Sequence, residues 1–473
     1  MATPTQNSIG VTTFDPNGYG IYTSLLHGTK WGGALGTGVQ LNWSFPTYGT
    51  SSFLSNYSAL QEYLGGFRAF TPSEQGITTT ALAAVTTLCG LSAYFTSDGA
   101  TVGELRFAGT DRGSPGEAAH AYLPANDPSS GDVWMLNSQW HTNHDSGFPR
   151  GGYDYIALVH EIMHAVGVKH PFEGPVPIDN VYDSYRYSIM SYESKAGTNS
   201  NYASFYPTTP MYLDIAALQI LYGKDTQTNK GNNTYTYSQG TKYWETIYDA
   251  GGTDTIVYRG TSSSVIDLRI GFFSTVSDPI ALSDNTTARD LVCIGPSTNI
   301  ERATGGNGND KLIGNSLANI LTGNSGNDGL YGNSGNDVLS GGAGRDSLSG
   351  GAGTDRLVGS TGSDRLTGGS GKDFFDFKGA LNSSNVDTVF DFIARDDTIR
   401  VDNAYFTKLS NGALSSSAFW IGSRAHDSND RIIYNKSNGD LIYDTNGSSA
   451  GGAIVFAHLD RGLSLTKADF IVI

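Results

Sequence analysis

Residues 341–358 read GGAGRDSLSGGAGTDRLV, which is two copies of a nine-residue unit of the form G-G-x-G-x-D-x-L-x. The unit runs without a change of register from Gly305 to Asp376, which gives eight consecutive copies. A fixed period of this kind is typical of a calcium-binding parallel β-roll, in which each coil of the chain stacks on the previous one. We expect two nonapeptides to make one coil, so that equivalent residues of stacked coils lie 18 positions apart.

Two positions of the unit carry its chemistry. The sixth is aspartate in every copy except one, where it is Asn319, and the eighth is always a large apolar residue. Glycines allow tight turns that aim backbone carbonyls at an ion, carboxylates complete the oxygen shell that calcium prefers, and the x-L-x tail forms a short strand. A flexible linker would have no reason to place leucine at every ninth residue. The predicted calcium ligands are Gly305, Gly308, Asp310, Gly323, Asp328, Gly332, Asp337, Gly341, Gly342, Gly344, Asp346, Gly350, Gly351, Gly353, Asp355, Asp364, Gly368, Gly369 and Asp373.

Stacking of the coils predicts that ions are shared between them, for example by Asp328 and Asp346. Because Asn319 lacks the carboxylate, we expect the sites that use its turn to be weaker or lost. In a calcium-poor cytosol the aspartate-rich turns should repel one another and stay unfolded, whereas millimolar calcium outside the cell should drive them to fold.

A second stretch, residues 160–170, reads HEIMHAVGVKH and has the pattern H-E-x-x-H-x-x-G-x-x-H. Residues four apart lie on one face of a helix, so His160 and His164 can present imidazole nitrogens to one metal ion. Gly167 can take a positive φ and end the helix, which lets the chain bring His170 to the same ion. Three neutral imidazoles leave a fourth position for water, as in a catalytic zinc site, and Glu161 can take a proton from that water. The pattern therefore predicts peptide hydrolysis.

The alternative interpretation is an ordinary amphipathic helix with surface histidines, which a bare H-E-x-x-H would leave open. The third histidine and the glycine at their fixed spacing disfavour it. The other six histidines have no such context, and we expect them to be surface or hydrogen-bonded residues: His27, His120, His141, His144, His426 and His458.

Residues 188–192 read SIMSY, and together with residues 160–170 they resemble the zinc motif and Met-turn of metzincin metalloproteases, most closely the serralysin group. The resemblance implies that Met190 lies beneath the histidines as an apolar floor. It also implies that Tyr192 brings its phenol to the metal or to the developing oxyanion. Without the resemblance both residues would be interpreted as core residues. The sequence departs from the group at Met163, where Gly is common, and at Glu193, where Trp is common, which leaves substrate preference open.

An edge strand that pairs with extended substrate is also implied by the resemblance. We place this role on Ala119, Ala121 and Tyr122. Backbone hydrogen bonds from such a strand would hold the scissile bond over the metal. We therefore expect unfolded or extended segments to be cleaved in preference to folded ones.

The chain as a whole predicts an α+β fold: an α/β-type metzincin catalytic domain, followed by an all-β domain of parallel β-roll and β-sandwich. The expected domains are residues 1–223, the catalytic part with an N-terminal extension, and residues 224–473, the repeats with a C-terminal cap and secretion tail. A solenoid needs such a cap. The expected elements are strands over residues 39–45, 102–107, 118–123, 387–392 and 431–434, and helices from the capping box at Thr71 to about Cys89 and over residues 212–222.

Residues 249–254, DAGGTD, resemble an outlying calcium loop of the serralysin group, with Asp249, Gly251, Gly252 and Asp254 as ligands. The two aspartates are equally well explained as turn formers. Both interpretations stay open.

The composition limits the partners. A formal net charge of −16 argues against nucleic acid, whose binders usually carry basic patches, and no stretch approaches the length of a membrane span. Cys89 and Cys293 are expected to be small buried hydrophobes and not a disulfide pair. We expect a monomer whose partners are protein or peptide substrates, a type I secretion apparatus and a proteinaceous inhibitor.

Residues 1–30 contain no apolar segment of signal-peptide length. The C-terminus, DFIVI over residues 469–473, resembles the acidic-then-apolar tail that directs serralysin-like proteins through type I secretion, and it reads equally well as a final strand. The expected protein is a zinc endopeptidase with one catalytic zinc and several structural calcium ions, secreted from a Gram-negative bacterium without an N-terminal signal peptide. The alternative is a calcium-organised surface or scaffold protein whose protease domain is degenerate or processes only its own chain.

Overall fold

The computed structural model describes residues 9–47, 53, 57–58, 60–98, 103–114, 117–140, 149–198 and 202–473. The chain divides into two compact units. The first comprises Met1–Lys230, Lys242–Ala250 and Asp278–Thr298, and the second comprises Gly231–Thr241, Gly251–Ser277 and Asn299–Ile473. Over residues 231–298, successive segments of the chain belong alternately to the two units. The expected single domain boundary after residue 223 stays a prediction. His141 and His144 lie outside the described residues.

The described helices comprise four α-helices and three short 3-10 helices. The α-helices are α1 (Pro72–Thr86), α2 (Asn137–Trp140), α3 (Tyr153–Ala165) and α4 (Tyr212–Tyr222), and the 3-10 helices are Gly20–Leu25, Glu62–Leu64 and Lys467–Asp469. The predicted capping box is confirmed, since Thr71 Oγ1 accepts from the N–H of Glu74 and the Glu74 carboxylate accepts from the N–H of Thr71. Helix α1 ends short of the expected Cys89, and α4 has the predicted bounds.

The described strands, in chain order, are β1 (Val11–Thr13), β2 (Thr29–Trp31), β3 (Val39–Ser44), β4 (Leu91–Phe95), β5 (Leu105–Thr110), β6 (Ala119–Ala121), β7 (Val133–Leu136), β8 (Thr234–Ser238), β9 (Glu245–Ile247), β10 (Thr255–Arg259), β11 (Val265–Asp267), β12 (Phe273–Ser274), β13 (Ile280–Ala281), β14 (Thr287–Ala288), β15 (Val292–Ile294), β16 (Arg302–Thr304), β17 (Lys311–Ile313), β18 (Ile320–Ser325), β19 (Gly329–Ser334), β20 (Val338–Ala343), β21 (Ser347–Gly353), β22 (Arg356–Thr361), β23 (Arg365–Gly371), β24 (Phe374–Phe377), β25 (Asp387–Val389), β26 (Thr398–Val401), β27 (Gly412–Ala413), β28 (Phe419–Ile421), β29 (Ile432–Asn435), β30 (Asp440–Asp444), β31 (Ala453–His458) and β32 (Phe470–Val472).

The first unit is built on a five-stranded sheet of order β4-β3-β5-β7-β6. Its first four strands are parallel to their neighbours, and β6 is antiparallel to β7 at the edge, which is the position predicted for the substrate strand. Strands β5 and β7 are buried along their whole length, as expected of parallel strands covered on both faces. The strand predicted over residues 102–107 begins instead at Leu105, and Val102 lies outside the described residues.

Strand β7 is absent from the predicted elements. Its sequence, VWML, is a short continuous apolar run, which periodicity alone cannot distinguish from part of a buried helix. Helix α3 packs against α1 and β6. The sheet therefore places its edge strand beside the helix that carries the first two predicted zinc ligands.

The repeats of the second unit alternate between two ten-stranded sheets. Within each sheet, parallel partners lie 18 residues apart, as in the pairs Leu321 with Leu339 and Leu330 with Leu348. This register confirms the expected coil of two nonapeptides. The eighth-position side chains are at most 1% exposed and form the core between the sheets, each contributing about 1.5–3 kcal/mol by burial: Leu312, Leu321, Leu330, Leu339, Leu348, Leu357, Leu366 and Phe375.

Beyond the repeats the same two sheets continue into the C-terminal cap. The predicted strands over 387–392 and 431–434 correspond to β25 and β29. The C-terminal residues form β32, which is parallel to β26. The tail is therefore a final strand, and its role in secretion stays a prediction.

Within the described part of the chain, no helix combines the length and the apolar character needed to cross a membrane. Both cysteines are buried and neither forms a disulfide in the described structure, and Cys293 lies in the same compact unit as Cys89. Burial raises the pKa of the Cys89 thiol to about 12, so it is a neutral buried group, as the sequence predicted.

Candidate metal centre

The three histidines of residues 160–170 converge. His160 and His164 lie one turn apart on helix α3, which ends at Ala165, and Gly167 then takes a φ of +100° that turns the chain back, as predicted. A Cβ on Gly167 would also lie 2.6 Å from the carbonyl oxygen of Thr29, so the turn excludes a side chain. His170 Nε2 lies 3.1 Å from His160 Nε2 and 3.0 Å from His164 Nε2.

The outer nitrogen of each ring is held by the protein. Nδ1 of His160 donates to the carbonyl oxygen of Ile189 at 2.8 Å, and Nδ1 of His164 donates to that of Val168 at 2.8 Å. His170 Nδ1 lies 2.7 Å from the carboxylate of Glu173. Because a carbonyl oxygen can only accept, the protons of His160 and His164 lie on Nδ1, and their Nε2 lone pairs face the common point.

Burial keeps the rings of His160 and His164 neutral. It lowers the pKa of His160 to about 3 and that of His164 well below its usual value, with the neighbouring histidines adding to the effect. Neutral imidazole with a fixed tautomer is the form that binds zinc. The donor set therefore fits a zinc ion at the Nε2 atoms.

The hydroxyl group of Tyr192 lies close to the same Nε2 atoms. Its hydroxyl oxygen lies 2.7 Å from His170 Nε2, and its ring stacks on that of His160 with the ring centroids 5.7 Å apart. Burial raises the pKa of the phenol, so it stays protonated and can donate a hydrogen bond. The side chain is half exposed, which leaves its hydroxyl accessible from the cleft.

A cleft of about 400 Å³ opens beside the histidines and contains the Glu161 carboxylate. Burial, followed by the charge of Glu117, raises the pKa of Glu161 to about 8. The lining residues are Glu117, Ala118, Ala119, Tyr153, Ile156, Ala157, His160, Glu161, Tyr185, Ile189 and Tyr192. Met163 is fully buried, Glu193 accepts from the N–H of Thr198, and neither is among the described lining residues.

Met190 is fully buried, and the turn around it is held by Asp214 of helix α4. The Asp214 carboxylate accepts from Ser188 Oγ at 2.6 Å and from the N–H groups of Ile189 and Met211 at 2.8 Å each. Ile189 in turn accepts the Nδ1 proton of His160. Sequence reasoning missed Asp214, although a single carboxylate inside the apolar run of helix α4 is a signal that could have found it.

The backbone groups of the edge strand β6 and of Tyr122, which follows it, point alternately toward and away from the rest of the sheet. Those of Tyr122 point toward the sheet, since its N–H donates to the carbonyl of Asp132 and its carbonyl accepts from the N–H of Gly131. Alternate residues of an antiparallel strand direct their backbone groups to opposite sides. The N–H and C=O groups of Ala119 and Ala121 therefore face away from β7, on the side where an extended peptide could pair. The backbone groups of Tyr122 face the sheet and are not available to such a peptide.

Side chains of the strand are anchored by Glu62, which sequence reasoning also missed. The buried Glu62 carboxylate lies 2.9 Å from His120 Nε2 and accepts from the hydroxyls of Tyr122 and Ser58. These hydrogen bonds lower its pKa against the opposing effect of burial, which is the largest single contribution. His120 is thus a hydrogen-bonded histidine, as expected.

In the second unit the sixth-position aspartates form a ladder. From Asp328 onward, one oxygen of each accepts the N–H of the residue 18 positions earlier, as from Asp328 to Asp346 Oδ1 at 2.8 Å and from Asp346 to Asp364 Oδ1 at 2.8 Å. The other oxygen is buried without a hydrogen-bond partner among the described residues in Asp328, Asp337, Asp346, Asp355 and Asp364.

The turn glycines sit against these carboxylates. A Cβ built on Gly305 would lie 2.5 Å from Asp310 Oδ2 and 2.9 Å from the carbonyl oxygen of Gly323, so carboxylate and carbonyl oxygens of successive coils lie close together. Burial raises the pKa of Asp337 and of Asp346 to about 7. Buried, unpartnered oxygens in an all-oxygen setting fit calcium.

Asn319 differs from its neighbours because both of its polar atoms have partners. Its Oδ1 accepts from the N–H of Asn315 at 2.8 Å, and its Nδ2 donates to the carbonyl of Glu301 and to Asn315 Oδ1 at 3.2 Å each. Protein groups therefore already bond to both side-chain polar atoms of Asn319. This is consistent with the expectation that a calcium site using this turn is weaker or lost.

Residues 249–254 have the contacts of a turn. Asp249, in the first unit, donates its N–H to Thr298 Oγ1 at 3.1 Å. Asp254, in the second unit, accepts from the N–H of Asn233 at 2.7 Å. Gly251 and Gly252 have φ of +140° and +147°. The calcium loop stays a prediction.

Comparison with known proteins identifies the family. The family model described as "Peptidase M10 serralysin C terminal" matches residues 212–471, which is more than half of the chain. The chain therefore belongs to the serralysin family, as its zinc motif, Met-turn and repeats predicted.

Curated relatives point to the same family. The chain is 32% identical over 311 residues to the metalloprotease AprA of Pseudomonas entomophila, an alignment that covers 60% of each chain. It is 36% identical over 219 residues to serralysin C of Dickeya chrysanthemi, covering 42% of this chain and 43% of the relative. Serralysin of Proteus mirabilis is 32% identical over 213 residues, 41% of each chain. The matched region thus spans at most about 60% of these relatives.

Proposed function

We propose that the protein is a secreted zinc endopeptidase that cleaves extended polypeptides. The observation that carries the proposal is the convergence of three imidazoles, with the Nε2 atoms of His160 and His164 about 3 Å from that of His170, beside a buried carboxylate and a strand that lies at the edge of the described sheet. Relatives named metalloprotease and serralysin support it. His160, His164 and His170 would hold the zinc.

When bound there, zinc supplies Lewis acidity that polarises an amide carbonyl and makes water more acidic. Ala119 and Ala121 bind the substrate backbone in extended form and orient the scissile bond. The Glu161 carboxylate takes a proton from the attacking water and gives it to the leaving amine nitrogen. Tyr192 donates its phenolic hydrogen to the oxygen that gains negative charge.

The proposal extends to the second unit. The unpartnered carboxylate oxygens of the ladder, with the glycine carbonyls, would bind structural calcium, and calcium binding would couple folding of this unit to arrival outside the cell. Export through a type I apparatus is part of this proposal. A scaffold protein with a degenerate protease domain is the competing function, and intact His160, Glu161, His164 and His170 argue against it.

The deciding experiment compares the wild type with Glu161→Gln on denatured casein and on a quenched fluorescent peptide, with zinc measured in both proteins. Glutamine keeps the shape of Glu161 but cannot take a proton. We expect one zinc per chain in both proteins and a loss of kcat by roughly a hundredfold to ten-thousandfold in the variant. Equal hydrolysis by both proteins, or a wild type that binds no zinc, would refute the proposal.

A further inference from the structure

The described lining of the cleft beside the histidines contains negative groups. Two carboxylates, Glu117 and Glu161, belong to it, and none of the described lining residues is a lysine or arginine. Glu173 lies nearby against His170, and it adds to the negative potential. Glu161 has a role in the proposed reaction, whereas Glu117 has none.

Glu117 stands two residues before Ala119, at the entrance to the edge strand. Its Oε2 accepts from the N–H of Ser114 at 2.6 Å, which fixes the side chain. The side chain is 27% exposed, so the carboxylate is partly desolvated and still accessible from the cleft. Among the described residues, its one ionisable neighbour of opposite type is His120, whose Nδ1 lies 3.7 Å from Oε2.

His120 makes no hydrogen bond to Glu117. Its Nε2 is 2.9 Å from the buried Glu62 carboxylate, so this nitrogen bonds to Glu62. Its Nδ1 lies 3.7 Å from Glu117 Oε2, beyond hydrogen-bond distance, and has no hydrogen-bond partner in the described structure. The Glu117 carboxylate can therefore interact with a cationic group that enters the cleft.

We propose that Glu117 is a specificity-determining residue that selects extended peptides with a lysine or arginine side chain in this cleft. The inference rests on the proposed function and names the substrate class of the same site. The aliphatic stem of such a side chain can pack against Tyr153 and Tyr185, which line the cleft, while its cation meets Glu117. An acidic side chain would meet two carboxylates and be rejected.

A simpler role for Glu117 is structural, as the acceptor for Ser114 in the turn before β6. Glu117→Gln separates the two roles, because glutamine keeps an acceptor oxygen and removes the charge. Asp15→Asn is the matched control. Asp15 is an exposed carboxylate of the same unit that also accepts a backbone N–H and does not line the cleft.

The experiment measures kcat/KM for peptide pairs that differ only in lysine or norleucine, with the variable residue moved through the positions on both sides of the scissile bond. We expect the wild type to prefer lysine at one position by about three- to tenfold, and the preference to shrink at high salt. Glu117→Gln should cleave both peptides of that pair equally, and Asp15→Asn should behave as the wild type does. A lysine preference that survives in Glu117→Gln, or that Asp15→Asn also loses, would overturn the proposal, as would a wild type with no preference at any position.

A second readout separates this proposal from the proposed function. The same peptide pairs are bound to Glu161→Gln and to Glu161→Gln/Glu117→Gln, with affinity read by fluorescence anisotropy. We expect a three- to tenfold lysine preference in the first protein and none in the second. If the wild type hydrolyses no peptide, the proposed function fails, but the ratio of these affinities still decides the role of Glu117.

Discussion

The histidine centre of the first unit and the aspartate ladder of the second hold their candidate ligands in opposite ways. In the histidine centre, each outer nitrogen is bonded to the protein, and the inner nitrogens are set by a helix, a turn and a packed sheet. In the ladder, one oxygen of each carboxylate bonds to the backbone of the previous coil, and the other is buried without a partner in five described aspartates.

This difference teaches which part of the protein depends on its ion to fold. The rings of His160 and His164 are neutral, and all three histidine rings are already hydrogen-bonded, so the first unit loses little when the ion is removed. The ladder places several carboxylates in a partly buried row, where burial opposes their charge. Its fold should therefore require cations, while the fold of the first unit should not.

Removal of the proposed zinc and calcium should give the largest effect, and its failure would contradict the difference drawn between the two regions. After the full chain is stripped of metal, calcium added alone should restore the far-ultraviolet circular dichroism of the β-rich unit without hydrolysis, and zinc added alone should restore hydrolysis without that circular dichroism. The expected loss of stability without calcium is several kcal/mol, because binding free energy is folding free energy in such sites. A β signal unchanged by stripping would show that the ladder folds without calcium.

The second largest effect should come from Asp214, which tests whether the histidine centre is held by the protein. Asp214→Asn puts an amide against the two backbone N–H donors that the carboxylate accepts, and we expect the free energy of unfolding to fall by about 2–3 kcal/mol. Activity should fall with it, because Ile189 positions His160. Asp179→Asn, an exposed carboxylate with one backbone bond, should cost under about 0.5 kcal/mol. Equal costs measured by denaturant unfolding would contradict this account.

The sequence predicts much of both regions because their residues are periodic or close together. The nine-residue period determines the 18-residue register of the sheets, and the spacing of His160, His164 and Gly167 determines a helix and the turn that follows it. These are local constraints, so no knowledge of the rest of the fold is needed to state them.

The contacts of the supporting groups could not be predicted, because these contacts join distant segments of the chain. Asp214 reaches the turn around Met190 from a later helix, and Glu62 reaches the edge strand from an earlier one. Nothing in the local pattern identifies such partners. The alternation of segments between the two units over residues 231–298 could not be predicted for the same reason. The sequence of a short strand there does not indicate which unit the strand belongs to.

Exchange of aspartate and asparagine at the sixth position of the repeat tests whether the unpartnered carboxylate oxygens of the ladder bind calcium. Asp346→Asn removes a buried, unpartnered carboxylate oxygen, and we expect the stabilisation by calcium to fall by about 1–2 kcal/mol. Asn319→Asp should act in reverse: it loses the hydrogen bonds of Nδ2 without calcium and gains stability when calcium is added. Melting temperatures measured over a calcium titration check both variants. Parallel shifts at all calcium concentrations would mean that neither position binds an ion.

The smallest effect on stability should come from Glu74, a carboxylate that is paired with a cationic side chain of the protein. Glu74 is paired with Arg68 at 2.7 Å and caps helix α1, and these hydrogen bonds outweigh burial and lower its pKa from 4.5 to about 2. Its folded-state pKa lies below the unfolded one, so its stabilisation is present above pH 4.5 and is lost as the pH falls toward 2. Glu74→Gln should cost about 1 kcal/mol near neutral pH and progressively less over that acidic range. Burial instead raises the pKa of ladder carboxylates such as Asp337 and Asp346. A pH-independent cost in calcium-saturated protein would show that Glu74 acts through its shape alone.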